Sequence, residues 1–330
     1  YRTDWPDPVP GADEVLIAVG ACGLNNTDVN TRVGWYSKGD GGDETWTGTP
    51  LPFPRIQGAD VCGRVVACGA GAPSDLVGRR VLVDPWFRDP AAPDDIARAT
   101  YFGSEHDGGY AELTLAPTEN AVVIDSHLSD VELASFPTSS MTALNMLERA
   151  GLQPGETVLV TGASGGVGTA LLQIARAMGA TPVGVSKPAK RDAVRDAGAE
   201  HVVDRGADPV EALAELGITG VDVVADVVGG DGFGRLLDAL RPGGRYTCAG
   251  AIGGAHVLLD LRTMYLRDLT LYGATVPGRG CFRRMVRMVE DGRLRPLVAG
   301  VFPLDRVRDA QEAFLEKRHV GNLVLDVAGD

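Results

Sequence analysis

Two rhythms of apolar and polar positions divide the chain. Up to about residue 125 the apolar positions come in short runs, at 15–19, 61–66 and 80–83, broken by turn-forming stretches such as 39–42. Runs of that length between glycine- and proline-rich breaks predict strands of a compact, mostly β domain. From Ser129 the rhythm changes. Ser129 with Glu132 three places on marks a capped helix start. Strand-type runs at 158–161, 181–186, 201–203, 221–227, 245–249 and 269–273 then alternate with helix-type stretches. The helices are expected through residue 178 and near 190–197, 209–216 and 233–240. Strand–helix alternation at this spacing argues a parallel, doubly wound sheet with helices on both faces. From Phe282 two more helix-type stretches and two short strands follow, ending in Asn322-Leu323-Val324-Leu325. The predicted fold class is α/β.

One junction in this pattern carries chemistry. The apolar run Thr157-Val158-Leu159-Val160 leads into Thr161-Gly162-Ala163-Ser164-Gly165-Gly166-Val167-Gly168, and a helix-type stretch follows at once. A helix N-terminus presents unpaired N–H groups and a partial positive charge to a phosphate. A glycine at 165 lets the backbone approach a pyrophosphate, and one at 168 lets the helix pack close to the strand. With strand before and helix after, the loop predicts a dinucleotide site built on Ser164, Gly165, Gly166 and Val167.

Composition narrows the partners. Of 330 residues 44% are apolar, enough for a sizeable core in two domains. The formal net charge of −13 argues against nucleic acid or an anionic membrane as partner. No run in this sequence is long enough to span a bilayer or reads as a secretory apolar region, so neither is expected. The five cysteines are scattered, with no C-x-x-C pair, which fits a reducing cytoplasm and argues against a disulfide framework or a cysteine-rich zinc module. A chain opening on Tyr1 rather than Met leaves room for an upstream piece.

Several segments, in order, resemble the medium-chain dehydrogenase/reductase superfamily. They are Pro10 to Ile17 as an opening strand, Cys22-Gly23-Leu24-Asn25-Asn26-Thr27-Asp28 as an active-site loop, and Gly108-Gly109-Tyr110-Ala111-Glu112 as a return strand. Met141-Thr142-Ala143, Arg241-Pro242-Gly243-Gly244-Arg245 and His319-Val320-Gly321-Asn322 complete the set. The resemblance implies a GroES-like catalytic domain over 1–127 and 296–330 and a Rossmann domain over 128–295. Zinc-dependent members hold the catalytic metal through Cys, His, Glu and Cys. The matching positions here are Asn25, Ala59, Asp60 and about Thr138, of which only Asp60 suits zinc. The stretch matching the structural zinc lobe, 85–103, contains no cysteine. No metal is therefore expected. The resemblance moves to the zinc-free branch of quinone oxidoreductases and 2-enoyl reductases, which share Asn25, Asp28 and the Gly34-x-Tyr36 pattern.

The residue ending the second Rossmann strand separates NAD from NADP. A carboxylate there would bind the ribose 2′-hydroxyl and repel a 2′-phosphate. Here the strand ends in Ser186, with Lys187, Lys190 and Arg191 close behind. A hydroxyl and Lys190 suit a phosphate, so the expected cofactor is NADP(H). Those cations would also be at home on a solvated helix start. By resemblance, Thr142, Val228, Gly250, Ala251, Ile252, Gly273 and Asn322 complete the cofactor contacts.

The expected chemistry is hydride transfer to an activated C=C bond or quinone. Carbonyl reduction and non-catalytic cofactor binding remain alternatives. Tyr36 is the expected proton donor or oxyanion partner, or else a packing residue at the cleft mouth. Asn25 orients ribose or substrate, or stabilises its turn. Asp60 hydrogen-bonds nearby polar groups. His106 is a weaker candidate acid in a loop of acids. Trp35, Tyr36, Trp46, Phe87 and residues 272–277 would line the substrate pocket by resemblance. The outer strand, 269–273, with Leu269 and Gly273 at its ends, would pair with its twin in a homodimer.

Overall fold

The computed structural model describes residues 2–36, 51 and 53–329. It falls into two compact units, Tyr1–Thr138 with Val298–Asp330, and Ser139–Leu297.

The first unit is organised on β1 (Glu14–Gly23). Val15 and Ile17 are fully buried and Val19 nearly so, the period of two that a half-buried strand requires. The short helix α1 (Asn26–Arg32) follows. Next come β2 (Asp60–Cys68), antiparallel to β1, and β3 (Arg80–Val83), antiparallel to β2. A separate ribbon is made by β4 (Trp86–Phe87) and β5 (Thr100–Tyr101). β6 (Leu113–Pro117) pairs with the first half of β1, and β7 (Ala121–Val123) with β3. Helix α2 (Asp130–Leu133) carries the expected capping box: Glu132 N donates to Ser129 Oγ at 3.2 Å, and Ser129 N to Glu132 Oε2 at 2.8 Å. Because α2 packs on β1 and β2, the first unit runs to Thr138, past the expected boundary at 127. Helix α3 (Pro137–Arg149) begins at that boundary.

One expected strand is absent. Residues 108–112 are loop, and the strand begins at Leu113. The N–H groups of Gly108, Gly109 and Tyr110 donate to the carbonyls of Ile56, Gly58 and Gln57, so they are not free to extend the ladder on β1. That approach needs a bare backbone: a Cβ on Gly108 would lie 2.3 Å from Gly58 O.

The second unit alternates as expected: β8 (Thr157–Val160), α4 (Gly166–Ala177), β9 (Thr181–Ser186), α5 (Arg191–Asp196), β10 (His201–Asp204) and α6 (Pro209–Glu215). β11 (Val221–Asp226), α7 (Phe233–Asp238), β12 (Leu240–Cys248), α8 (Leu261–Tyr265), β13 (Thr270–Gly273) and α9 (Cys281–Glu290) complete it. Its sheet has the order β10-β9-β8-β11-β12-β13. Every pairing in it is parallel. Leu159, Val183, Val203, Val221 and Val224 fill its core, which explains why these strands read as continuous apolar runs. The chain returns to the first unit through β14 (Val298–Pro303), α10 (Val307–Leu315) and β15 (Asn322–Asp326), with β15 pairing to the last residues of β1. Among the described residues no helix is long and apolar enough to cross a membrane.

Candidate functional site

Parallel strands all end on the same edge of a sheet, and that is where this sheet gathers its chemistry. The loop after β8 turns at Gly162, whose φ of +58° is a left-handed value that favours glycine. Ala163 and Gly168 are buried, whereas Ser164, Gly165, Gly166 and Val167 between them are half-buried. Gly165 is the N-cap of α4, in extended backbone. The two outer glycines of this motif are needed for different reasons. A Cβ on Gly168 would lie 2.2 Å from Gly162 O and 2.7 Å from Ala163 Cα, so close packing of α4 on its own loop forbids one. A Cβ on Gly165 would meet only Gly162 O, at an ordinary 3.6 Å. Nothing in the chain demands glycine at 165. A bare backbone at a helix N-terminus is what an approaching phosphate needs, so the loop fits a dinucleotide cofactor.

Asp226, at the end of β11, braces this edge. It is fully buried and accepts hydrogen bonds from Val228 N (2.8 Å), Gly229 N (3.1 Å), Tyr246 Oη (2.6 Å) and Thr161 Oγ1. Thr161 Oγ1 accepts in turn from Val227 N at 3.1 Å. Gly253 N donates to Val228 O at 2.7 Å, and Gly230 N to Gly254 O at 3.0 Å. The loops after β8, β11 and β12 are thus tied to one another through a satisfied buried carboxylate. Burial, reinforced by Asp226, pushes the Tyr246 phenol up, which keeps it a donor. Val228, Gly250 and Ala251 sit half-buried in these loops, Ile252 is exposed beside them, and Gly273 ends β13. Thr142 is half-buried in α3.

At the end of β9, Ser186 is 5% exposed and its hydroxyl donates to Lys187 O at 3.2 Å. The β9–β10 register sets Ser186 opposite Asp204, and Arg205 N donates to Ser186 O at 2.9 Å. Partial burial lowers the Lys190 ammonium, and the charges of Lys187 and Arg205 lower it further. Three cations therefore repel one another here. The nearby Asp204 carboxylate receives Gly206 N at 2.8 Å. Arg205 was not visible to sequence reasoning, because only strand pairing brings it to Ser186.

The first unit holds a second cluster. Asn25 is the N-cap of α1, and its N–H donates to Asp28 Oδ2 at 2.7 Å. Tyr110 Oη donates to the same oxygen at 2.8 Å. Asp60, at the start of β2, accepts from Thr138 N at 2.8 Å and from Thr138 Oγ1 on its Oδ1, and Thr138 Oγ1 also meets Tyr101 Oη at 2.8 Å. Asp28 and Asp60 are 3% and 1% exposed. Burial pushes Asp28 up to about 7, against its hydrogen bonds from Asn25 and Tyr110 and with a further push from Asp60. Burial pushes Asp60 up to about 6, with Asn25 and Thr138 opposing. Asn25 Nδ2 is close enough to favour the charged form of Asp60, yet it is buried without a partner at normal hydrogen-bond geometry, as is Thr27 Oγ1. Asn30 Nδ2 donates to Tyr36 Oη at 3.4 Å, and burial raises that phenol. Burial pushes the Tyr101 phenol up, the carboxylate of Asp60 adds to the push, and the hydrogen bond with Thr138 opposes it.

Of the expected site residues, Asn25 and Asp60 are buried close together, and Tyr36 is half-buried beside Asn30. Asn322 begins β15 in the same unit, 8% exposed. Phe87 is 7% exposed and packs in the core against Phe102, and Trp35 lies edge-on to Tyr36. Trp46 and the turn at 39–42 lie outside the described residues. His106 is a surface residue held by Thr100 Oγ1 at 2.8 Å. Tyr101, Tyr110 and Asp226 are not among the residues expected at the site, and Asp28 is expected only as a residue shared with the zinc-free branch. Each is an ordinary loop or strand residue until the fold surrounds it. Asp226 carries a local signal, an acid at the end of a strand-type run.

The four positions matching zinc ligands do not fit that ion. Asn25, Ala59, Asp60 and Thr138 offer one carboxylate, and its Oδ1 is already engaged by Thr138. Among the described residues no group of three or more His, Cys, Asp or Glu could hold a metal.

Residues 11–126 match the alcohol dehydrogenase GroES-like domain, and residues 166–291 match the zinc-binding dehydrogenase family. A candidate alcohol dehydrogenase of Sinorhizobium meliloti 1021 is 50% identical, with a TM-score of 0.93, covering 99% of this chain and 92% of its own. The 2-octenoyl-CoA carboxylase reductase CinF, solved with NADP and 2-octenoyl-CoA, is 27% identical with a TM-score of 0.84, covering 97% of this chain and 80% of its own. Acryloyl-coenzyme A reductase of Metallosphaera sedula is 29% identical over 97% of this chain and 94% of its own length.

Proposed function

The chain belongs to the medium-chain dehydrogenase/reductase superfamily, and we propose that it is a zinc-independent, NADPH-dependent reductase of a C=C bond activated by a carbonyl, with quinones as the related class. The observation that carries this reading is the first-unit cluster. At the positions matching those where zinc-dependent relatives hold a metal, this chain has Asn25, Ala59, Asp60 and Thr138; Thr138 is hydrogen-bonded to Asp60 and to Tyr101, and the Asn25 amide nitrogen is buried without a partner. An alkoxide needs a Lewis acid, whereas an enolate can be received by hydrogen-bond donors. The likeness to acryloyl-CoA and octenoyl-CoA reductases supports the same substrate class.

A bound nicotinamide would supply hydride to the β-carbon. The chain must then donate a hydrogen bond to the carbonyl oxygen and a proton to the α-carbon or the oxygen. Asn25 Nδ2, buried without a partner, is the donor for the oxygen. Tyr36, whose phenol is raised by burial and so keeps its proton, is the acid. Asp60 holds Thr138 and is a positioning residue.

NADPH is preferred in this reading because Ser186 ends β9 where a carboxylate would select NAD, and Lys187, Lys190 and Arg205 supply the charge for a 2′-phosphate. We place the twofold partner at the outer edge of β13, beside the exposed Leu258, Leu261 and Leu266. Light scattering giving a dilute monomer would exclude that dimer. Carbonyl reduction is the second reading, favoured by the likeness to a candidate alcohol dehydrogenase. Absorbance at the nicotinamide band, followed with NADPH or NADH and a panel of enoyl thioesters, enones, quinones and aldehydes, tests all of this. Consumption of NADPH with enoyl compounds or quinones supports the proposal. Turnover of aldehydes alone moves it to the second reading, and tight binding without turnover to a non-catalytic binder.

A further inference from the structure

The phosphate-type loop lies at the N-terminus of α4. At the other end of the same helix, about 18 Å away for twelve residues, the second unit carries an excess of positive charge. An open cavity of about 430 Å³ is lined there by Arg176, Arg195, Arg293 and Arg295, with Gln173 and Asp196 among its other walls. The volume lies within the range of small-molecule pockets. The chain as a whole carries −13, so four arginines around one hollow run against its general charge. Asp196 and Glu200, which lies 3.7 Å from Arg176, offset only part of it.

The cavity is built from three elements. Arg176 is in the last turn of α4, Arg195 in the last turn of α5, and the other two follow α9. Leu294, 3% exposed, anchors that third segment, and the arginines on either side of it are exposed. Arg293 Nη2 donates to Ala177 O at 2.8 Å, and Arg295 Nη2 to Asp196 O at 2.7 Å. Gln173 clasps the backbone of Arg295 from both sides: Arg295 N donates to Oε1 at 2.8 Å, and Nε2 donates to Arg295 O at 3.2 Å. Two guanidinium groups are therefore held in place with most of their N–H groups uncommitted.

Capping of carbonyls at helix C-termini is ordinary arginine work, and it explains one nitrogen each of Arg293 and Arg295. It does not explain Arg195, whose side chain makes no hydrogen bond or ion pair among the described residues, nor four guanidinium groups at one hollow. Their planar forks match phosphate oxygens two at a time. We propose that this cavity binds a small anion carrying linked phosphate groups, at a site separate from the cofactor loop.

Inorganic tripolyphosphate is the probe. Calorimetric titration of the full-length protein, with and without saturating NADPH, is compared among wild type, Arg195→Glu and Arg318→Glu. The Arg195 side chain is exposed and holds no hydrogen bond or ion pair that the reversal would break. Arg318 is exposed in the other unit beside Glu316, at 3.6 Å, and its reversal changes net charge equally. The expected result is one site in wild type, retained under NADPH, weakened about tenfold or more by Arg195→Glu and unchanged by Arg318→Glu. Absence of binding, displacement by NADPH, or equal weakening by both reversals would overturn the proposal.

Discussion

Two alanine substitutions three residues apart should have opposite effects. In Gly168→Ala the new methyl carbon would stand 2.2 Å from Gly162 O and 2.7 Å from Ala163 Cα. Both atoms are backbone, so relief requires α4 to move from its loop by about an ångström. Overpacking of this kind costs about 1–3 kcal/mol, and this case belongs at the upper end because no flexible side chain can yield. In Gly165→Ala the methyl carbon meets only Gly162 O at 3.6 Å, and the backbone, φ −84° and ψ 174°, is open to any residue. Its stability should stay within about 0.5 kcal/mol of wild type. The methyl would instead occupy the path by which a phosphate reaches the α4 N-terminus. Loss of affinity for NADPH should be about tenfold or more, or about 1.4 kcal/mol. Urea denaturation of the protein without cofactor measures the first effect, and a fluorescence titration with NADPH the second. Wild-type NADPH affinity in Gly165→Ala would refute the assignment of the loop. Wild-type stability in Gly168→Ala would refute the packing argument.

Tyr36→Phe should lower turnover about a hundredfold with little change in NADPH affinity; unchanged turnover removes Tyr36 from the mechanism. Asp28 has its pKa raised in the fold, to about 7, so the native state holds a proton that the unfolded chain releases nearer 4. Its contribution to stability is present in full below pH 4 and is lost as pH rises through about 7. Asp28→Asn should flatten the fall in stability between those limits, and an unaltered pH profile would contradict it. Asp226→Asn offers an amide to donors that all seek an acceptor, and should cost about 3 kcal/mol by thermal or chemical denaturation. Arg205→Ala should weaken NADPH about tenfold and leave NADH unaffected. Loss of both to the same extent would place Arg205 outside the 2′-phosphate contact.

Sequence determined those features of this protein that depend on near neighbours. Period-two burial in β1, apolar runs in the parallel strands, the capping box at Ser129 and the loop from Thr161 to Gly168 are set by residues a few positions apart. The alternation of strands and helices was legible for the same reason, and with it the edge on which Ser164 to Val167 and Ser186 would lie. The strand expected over 108–112 does not form at its start because the N–H groups of 108–110 go to the carbonyls of residues 56–58, some fifty positions earlier in the chain. Only the tertiary structure could decide the electrostatics of the buried groups. Asp28, Asp60 and Tyr110 acquire shifted proton affinities when distant segments exclude water around them together. It also set Arg205 beside Ser186, through the pairing of β10 with β9, and joined four arginines from three elements at one cavity. Charge and desolvation act through space, and the distances through which they act come into being only when the chain has folded.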